Sequence, residues 1–240
     1  LLFFSQKIVT VKLSGSVKDD TKTVRSFSVI DNREDKELGT IIHKKDSYRF
    51  EFANNDFKKS LEDYLHSSNK NLVGSKDFVF YIEGLKVFSE EEQGMALPKA
   101  DLTISAFVFK DNHFYYLDRI SRVITPNVNL PKTPLGLSIT ITNTLADFIK
   151  NSFKEKPSEI AITEAELPNY ATIIKKDLFV FQNDQIKDGV YPSYKTFFNG
   201  EPLKGYELIK NGKNEVVRAK KGDERLPAYK MFAYVENGKI

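Results

Sequence analysis

The chain has 240 residues, enough for one large domain or two small ones with a substantial hydrophobic core. It carries 36 Lys and Arg against 33 Asp and Glu, and this near balance argues against a broad nucleic-acid or anionic-membrane surface. The absence of cysteine excludes disulfides, thiolate metal sites, cysteine nucleophiles and a lipidated cysteine in this chain.

The chain begins with a short apolar run, Leu-Leu-Phe-Phe-Ser, that stops abruptly at Gln6 and Lys7. This pattern is typical of the end of a secretory signal peptide, so residues 1–5 are interpreted as its remnant. A buried first strand is the alternative. No other stretch approaches the roughly 18 uninterrupted apolar residues that a membrane helix needs. The sequence therefore predicts no transmembrane segment and a periplasmic or secreted protein of the cell envelope.

The first half of the chain is rich in predicted strands. Period-two alternation and β-branched residues predict strands at 7–14, 24–30, 38–43, 47–52, 76–88, 100–110 and 113–124. Asp111-Asn112 suits a tight hairpin turn, and Gly84 suits a bulge. The polar stretch 89–98 is predicted to be a surface loop.

Two helices are predicted among these strands. The first has an apolar face at a 3.6-residue period and Asn54 or Asn55 as its N-cap; its face consists of Phe57, Leu61, Tyr64 and Leu65. The second covers 135–153, although its Ser-Ile-Thr-Ile-Thr segment also has strand propensity. Residues 6–154 are thus predicted to form an α+β domain, in which a mostly antiparallel sheet carries two helices on one face.

The remaining chain is predicted to be a linker followed by a small module. Two prolines and an acidic segment mark 155–176 as a linker with a short helical turn. Residues 177–240 are predicted to form a small β-rich module, with strands at 177–181 and 229–236 and a hairpin around Asn211-Gly212. The chain stops directly after a second Asn-Gly turn, which suggests a fragment at both ends.

No residue pattern predicts a catalytic, cofactor-binding or metal-binding centre. The three histidines, His43, His66 and His113, lack the spacing of a zinc motif and are interpreted as surface or edge residues. Residues 31–35 resemble the start of a calcium loop, but Arg33 lies among the would-be ligands, which favours an Asx turn. Glu90–Glu92 is interpreted as a solvated run. The segment 134–138 lacks the closing glycine of a nucleophile elbow.

Aromatic residues are concentrated in the second module. They are Phe179, Phe181, Tyr191, Tyr194, Phe197, Phe198, Tyr206, Tyr229, Phe232 and Tyr234. A module this small needs most of its rings in its core. The competing interpretation is an aromatic surface for sugar or an extended peptide, for which Tyr191, Tyr194, Phe197 and Tyr229 are the candidate binding residues.

Two segments resemble known protein groups. The run Asp188-Gly-Val-Tyr191, followed by phenylalanine, asparagine and proline and later by Asn237-Gly-Lys, resembles uncharacterised exported proteins of Bacteroidetes-type bacteria. The strand that ends in Asp31-Asn-Arg33 and leads to Gly39 more faintly resembles envelope lipoproteins of the transport-auxiliary kind. The lipidated cysteine of that second group is absent here. Neither resemblance implies catalytic residues.

Together these features predict a non-enzymatic exported or envelope-associated protein that acts by binding or as a scaffold. Its partner would be a protein or a glycan of the envelope, with no nucleic acid and no cofactor. One alternative is a hydrolase whose site is assembled from dispersed histidines, His43 or His113, and carboxylates. Another is an accessory subunit of a transport complex.

Overall fold

The computed structural model describes residues 6–92, 95–127, 129–183, 185–192, 194–228 and 231–240. The predicted signal-peptide remnant, 1–5, lies outside the described residues. The chain divides into two compact units, Leu1–Leu167 and Pro168–Ile240. The boundary between them therefore lies inside the segment 155–176 that the sequence predicts to be a linker.

The first unit has the predicted α+β architecture. Its elements are β1 (Gln6–Val11), β2 (Val24–Asp31), β3 (Gly39–His43), β4 (Asp46–Phe52), α1 (Phe57–Ser68), β5 (Lys76–Glu92), β6 (Met95–Lys110), β7 (His113–Ile124) and α2 (Pro134–Ser152). Strands β5, β6 and β7 are antiparallel, and β2 joins them in parallel at the edge of β5, giving the order β2-β5-β6-β7. A second sheet has the order β1-β4-β3, with β1 parallel to β4.

Turn chemistry in this unit follows the sequence. Asp111 and Asn112 both have positive φ, 51° and 61°, which the two-residue turn between β6 and β7 requires and which these residue types tolerate. The register between β5 and β6 shifts between Ile82 and Gly84, so the predicted irregularity at Gly84 is confirmed.

The predicted loop at 89–98 is wrong. Strands β5 and β6 continue through most of it as a long hairpin, with Ser89 opposite Pro98 and Glu90 opposite Leu97. Lys99 forms an ion pair with Glu90 along this extension. An antiparallel ladder that is already established extends by pairing backbone groups, and it does not need an apolar side-chain pattern to do so.

Both helices pack on the same face of the four-stranded sheet, as predicted. Their buried residues, including Leu61 and Leu65 of α1 and Leu145 of α2, share one core with Phe78 and Phe80 of β5. The cap of α1 is Asp56, which accepts a hydrogen bond from the Lys59 amide at 2.8 Å, so the Asn54 or Asn55 assignment is wrong by one or two residues.

Helix α2 forms although the Ile and Thr residues in its first half have a preference for strand. Thr133 caps it by accepting from the Gly136 amide, and Pro134 occupies the first turn, where a missing N–H costs nothing. Ile141 is completely buried, and the Thr142 hydroxyl donates to the Lys12 carbonyl at 3.0 Å. Burial of one face therefore outweighs the weak intrinsic preference for strand.

The loop between β1 and β2 is held by a buried carboxylate. Asp19 is 8% exposed, and its two oxygens accept from the amides of Thr21 at 3.0 Å and of Thr23 and Val24 at 2.8 Å each. Its own amide donates to Asn69 Oδ1 at the end of α1. The side chain thus replaces the backbone partners that an irregular buried segment lacks.

The second unit is a mixture of short helices and strands. It contains α3 (Tyr170–Asp177), α4 (Phe179–Gln182), β8 (Gly189–Tyr191), α5 (Tyr194–Phe198), β9 (Glu207–Lys210), β10 (Val216–Lys221), β11 (Glu224–Pro227) and β12 (Ala233–Val235). Strands β9, β10 and β11 form one antiparallel sheet, and β8 pairs with β12.

The sequence predicted only part of this unit. The hairpin around Asn211-Gly212 is confirmed, with Lys210 opposite Val216. The predicted strand at 177–181 is wrong, because α3 ends there and α4 follows. A run of four or five apolar residues has no period that separates strand from helix. Over the described parts of the chain, no helix is long and apolar enough to cross a membrane.

Candidate functional site

Two of the predicted binding aromatics are core residues. Tyr191 is completely buried and Phe197 is 6% exposed; together with Val235 they form the centre of the second unit. The Tyr191 hydroxyl donates to the Lys187 carbonyl at 2.6 Å, and burial, with the charge of Asp188 adding to it, raises the pKa of this hydroxyl. Neither ring is accessible to a ligand on the surface.

The other two candidates are Tyr194 and Tyr229. The side chain of Tyr194 and the whole of Tyr229 lie outside the described residues.

A row of phenylalanines leads from this core to the surface. The four members of this aromatic row are Phe181, Phe198, Phe197 and Phe232. Phe181 stacks on Phe198 with ring centres 5.6 Å apart, Phe198 meets Phe197 edge-on at 5.2 Å, and the Phe197 ring lies 5.7 Å from the Phe232 ring. The terminal members are the exposed ones: Phe181 is 54% and Phe232 50% exposed.

Each ring of the row is positioned by a short element. Phe181 lies on α4, Phe197 and Phe198 are neighbours on α5, and the Phe232 amide donates to the Tyr191 carbonyl at 2.8 Å next to β12. Phe232 thus packs directly on the buried Phe197, and Phe181 is connected to Phe197 through Phe198. Aromatic contacts of this geometry restrict the rings before any ligand is bound.

Lysines accompany the aromatic row. Lys195 lies three residues before Phe198 on the same helix, a spacing that places two side chains side by side. Lys175 and Lys176 are exposed at the end of α3, where the Gln182 side chain of α4 donates to the Lys176 carbonyl at 3.1 Å. Residues 168–240 contain 13 Lys and Arg against 9 Asp and Glu, a net charge of +4. The exposed rings therefore lie on the more basic of the two units.

Sequence reasoning missed Phe181 and Phe232 as the exposed rings. Both belong to the aromatic group of the second module, but the short elements of this unit show no periodicity that separates a buried ring from an exposed one. The polar pair Gln182-Asn183 directly after Phe181 is the one local indication that the chain there lies at the surface.

The three histidines lie on different elements. His43 ends β3 opposite Asp46, His66 is near the end of α1 with its ring edge-on to Phe27, and the His113 Nδ1 atom is 2.7 Å from the Asp111 carbonyl. Across the described residues, no group of three or more His, Asp or Glu side chains is placed to hold a metal ion.

The acidic segment after β2 forms the Asx turn that the sequence favours. The Arg33 amide donates to Asp31 Oδ1 at 3.2 Å, and its guanidinium bonds both carboxylate oxygens at 2.9 and 2.8 Å. Burial raises the pKa of Asp31, but the hydrogen bonds and charges of Arg33 and Lys36 outweigh it, so that the pKa lies below its usual range. Asp35 is bound to Lys86.

The segment 134–138 forms the start of α2. Gly136 donates to the cap, and Ser138 is 4% exposed within the helix, so this serine is not presented on a sharp turn as a nucleophile would be.

Comparison with known proteins gives no relative. No family model matches the chain, and no curated protein and no solved structure matches it.

Proposed function

We propose that this is a non-enzymatic, exported or envelope-associated binding protein. Its second unit would bind an apolar segment of a protein partner that also carries acidic side chains. The observation that carries the proposal is the aromatic row, in which Phe181 and Phe232 expose about half of their surface, Phe232 packing on the buried Phe197 and Phe181 on the partly buried Phe198. Large apolar side chains of this kind are exposed at a cost unless a partner covers them.

The chemistry of the row favours a protein over a glycan. Phenylalanine has no polar tip, so Phe181, Phe198 and Phe232 cannot bond sugar hydroxyls as tyrosine or tryptophan would. The neighbouring Lys175, Lys176 and Lys195 favour a partner with carboxylates beside its apolar residues, because complementary charge accelerates and orients association.

The expected contribution of each ring is measurable. Truncation to alanine of an aromatic residue that is buried at the centre of an interface costs about 2 kcal/mol or more of binding free energy, which corresponds to a roughly 30-fold loss of affinity. We therefore expect Phe181→Ala and Phe232→Ala each to lower the affinity for a partner peptide by about that factor.

The test is selection of peptides from a random display library on the purified chain, followed by affinity measurement on synthetic peptides. We expect the selected peptides to be rich in apolar and acidic residues, and we expect the Phe181→Ala and Phe232→Ala chains to bind them more weakly than the parent chain. Val217→Ala is the matched control, because Val217 is an exposed hydrophobic residue of the same unit, on β10. Lys176→Glu should lower the affinity for the acidic peptides and leave the thermal stability of the chain unchanged.

Three results would contradict the proposal. One is a set of peptides whose binding is indifferent to Phe181→Ala and Phe232→Ala. Another is binding of a glycan, and not of a peptide, through the same rings. The third is a turnover by the purified chain that is lost in His43→Ala or His113→Ala, which would establish the hydrolase alternative.

A further inference from the structure

The sheet β9-β10-β11 of the second unit has one face that is buried at its centre and one that is exposed. On the buried face, Ala219 of β10 is completely buried and lies opposite Leu208 and Leu226. Successive side chains of a strand point to opposite faces, so Arg218 and Lys220, on either side of Ala219, belong to the exposed face. This outer face consists of Glu207, Ile209, Arg218, Lys220, Arg225 and Pro227.

The outer face carries like charges at neighbouring positions. Lys220 lies directly opposite Arg225 of β11, and Arg218 is two residues before Lys220 on the same strand. All three side chains are exposed, and none of them has a hydrogen-bond or ion-pair partner among the described residues. Like charges directly opposite each other destabilise an antiparallel pair. The stability of the sheet therefore does not explain this arrangement.

The acids near this sheet do not neutralise the three cations. Glu207, opposite Lys220 on β9, is the single acid of the outer face, which therefore carries three positive charges against one negative charge. Glu224 lies opposite Lys221 on the other face. Its carboxylate accepts a hydrogen bond from the Tyr206 hydroxyl, which raises the pKa of that tyrosine, and the Lys221 ammonium lies 5.9 Å from the centre of the Tyr206 ring.

We propose that the outer face binds an acidic segment of a protein, which lies extended along β10 with its carboxylates on Arg218, Lys220 and Arg225. Alternate side chains of an extended chain are about 6.8 Å apart, the same repeat that separates Arg218 from Lys220. Each guanidinium offers a planar fork of N–H donors that fits a carboxylate. Ile209 and Pro227, half-buried opposite Arg218, add apolar contact for the aliphatic part of the segment. The inference does not rest on the aromatic row, which consists of other residues.

Other polyanions would be attracted by the same charges, but the composition of the outer face favours a peptide. None of its six residues is aromatic, whereas proteins that bind single-stranded nucleic acid without sequence preference stack the bases on aromatic rings. Binding to an anionic membrane through charge alone is weak, and a firm attachment also needs apolar side chains that insert. The two apolar residues of the face, Ile209 and Pro227, are half-buried.

The test is fluorescence anisotropy of a labelled polyglutamate peptide that is titrated with the whole chain at low salt. An oligothymidine of the same length and vesicles that contain phosphatidylserine are titrated in parallel. We expect polyglutamate to bind most tightly of the three. Its affinity should fall as salt is added, because salt screens interactions between exposed charges.

Four variants separate a specific surface from general charge attraction. We expect Arg218→Gln and Arg225→Gln each to lower the affinity for polyglutamate about fivefold. Glu207→Gln removes the one negative charge of the face, and we expect it to raise the affinity about threefold. Arg122→Gln is the matched control, since it removes the same charge from an exposed arginine on β7 of the first unit and should leave the affinity unchanged.

Equal affinities of the Arg218→Gln and Arg122→Gln chains would reduce the binding to net charge and overturn the inference. A Glu207→Gln chain that binds polyglutamate no more tightly than the parent chain would also overturn it, and a gain of affinity cannot come from a damaged fold. Tighter binding of oligothymidine or of the vesicles would assign the face to nucleic acid or to lipid. Phe181→Ala should bind polyglutamate as the parent chain does, so failure here is distinguishable from failure of the aromatic row.

Discussion

The buried Asp19 offers the sharpest test of how the first unit is held together. Its carboxylate accepts from three backbone amides in the loop between β1 and β2, and one of them belongs to the completely buried Val24. Replacing Asp19 with alanine leaves those donors without acceptors. A buried donor left unsatisfied costs about 1–3 kcal/mol, and the three amides share one loop that relaxes in part, so we expect a total loss of about 3–5 kcal/mol.

The assay is thermal and chemical unfolding followed by circular dichroism. For a unit of this size, each kcal/mol lowers the midpoint by roughly 2–4 °C, so Asp19→Ala should melt about 10 °C or more below the parent chain. Asp19→Asn, which keeps one acceptor oxygen, should fall between the two. The matched control is the exposed neighbour Asp20→Ala, for which we expect a change within about 0.5 kcal/mol. If Asp19→Ala unfolded within that same margin, the carboxylate would not be the anchor of this loop.

Two other changes have expected outcomes that follow from the described contacts. The pKa of Asp31 is lowered on folding, so its stabilisation is present above its unfolded pKa of about 3.9 and is lost as the pH falls through the lower folded value. Asp31→Asn should therefore reduce stability at pH 7 and flatten the loss of stability below about pH 4 in acid unfolding curves; an unchanged acid slope would contradict this. Gly74→Ala would place a methyl group 2.0 Å from the Thr23 carbonyl carbon, so we expect a loss of about 3 kcal/mol, against less than about 0.5 kcal/mol for Gly212→Ala, where nothing lies within 4 Å. Equal melting points of the two alanine variants would refute the steric argument.

Long periodic segments allowed most of the first unit to be predicted. Strands β2 to β7 begin or end within a few residues of their predicted limits, because alternation reports directly which face of a strand is buried. The apolar face of α1 is equally clear, since Leu61 and Leu65 are completely buried. Both patterns involve residues close together in the sequence, so they can be recognised from a single sequence.

Pairing between distant strands was beyond the sequence. Nothing in residues 6–11 indicates that β1 lies parallel to β4, or that β2 joins β5 and not its neighbour in the chain. Parallel pairs depend on connections of many residues, and their partners leave no mark on the local pattern. The sequence therefore did not predict that β1, β4 and β3 form a sheet of their own in the first unit.

The exposed rings of the second unit were not identified from the sequence. Core packing was the first interpretation of its aromatic residues and a binding surface the competing one; Tyr191 and Phe197, two candidates for that surface, are buried, while Phe181 and Phe232 are exposed. In a unit of short elements, exposure depends on how the elements pack, and that packing is decided by contacts between residues far apart in sequence.

The parallel pairing of the first strands has a consequence for the order in which the chain can acquire structure. Strand β1 waits for β4, which ends at Phe52, and β2 waits for β5, which begins at Lys76. Strands β1 and β2 belong to different sheets and do not pair with each other. During synthesis, neither strand can therefore form its sheet pairing until its partner, which lies further along the chain, has also been made.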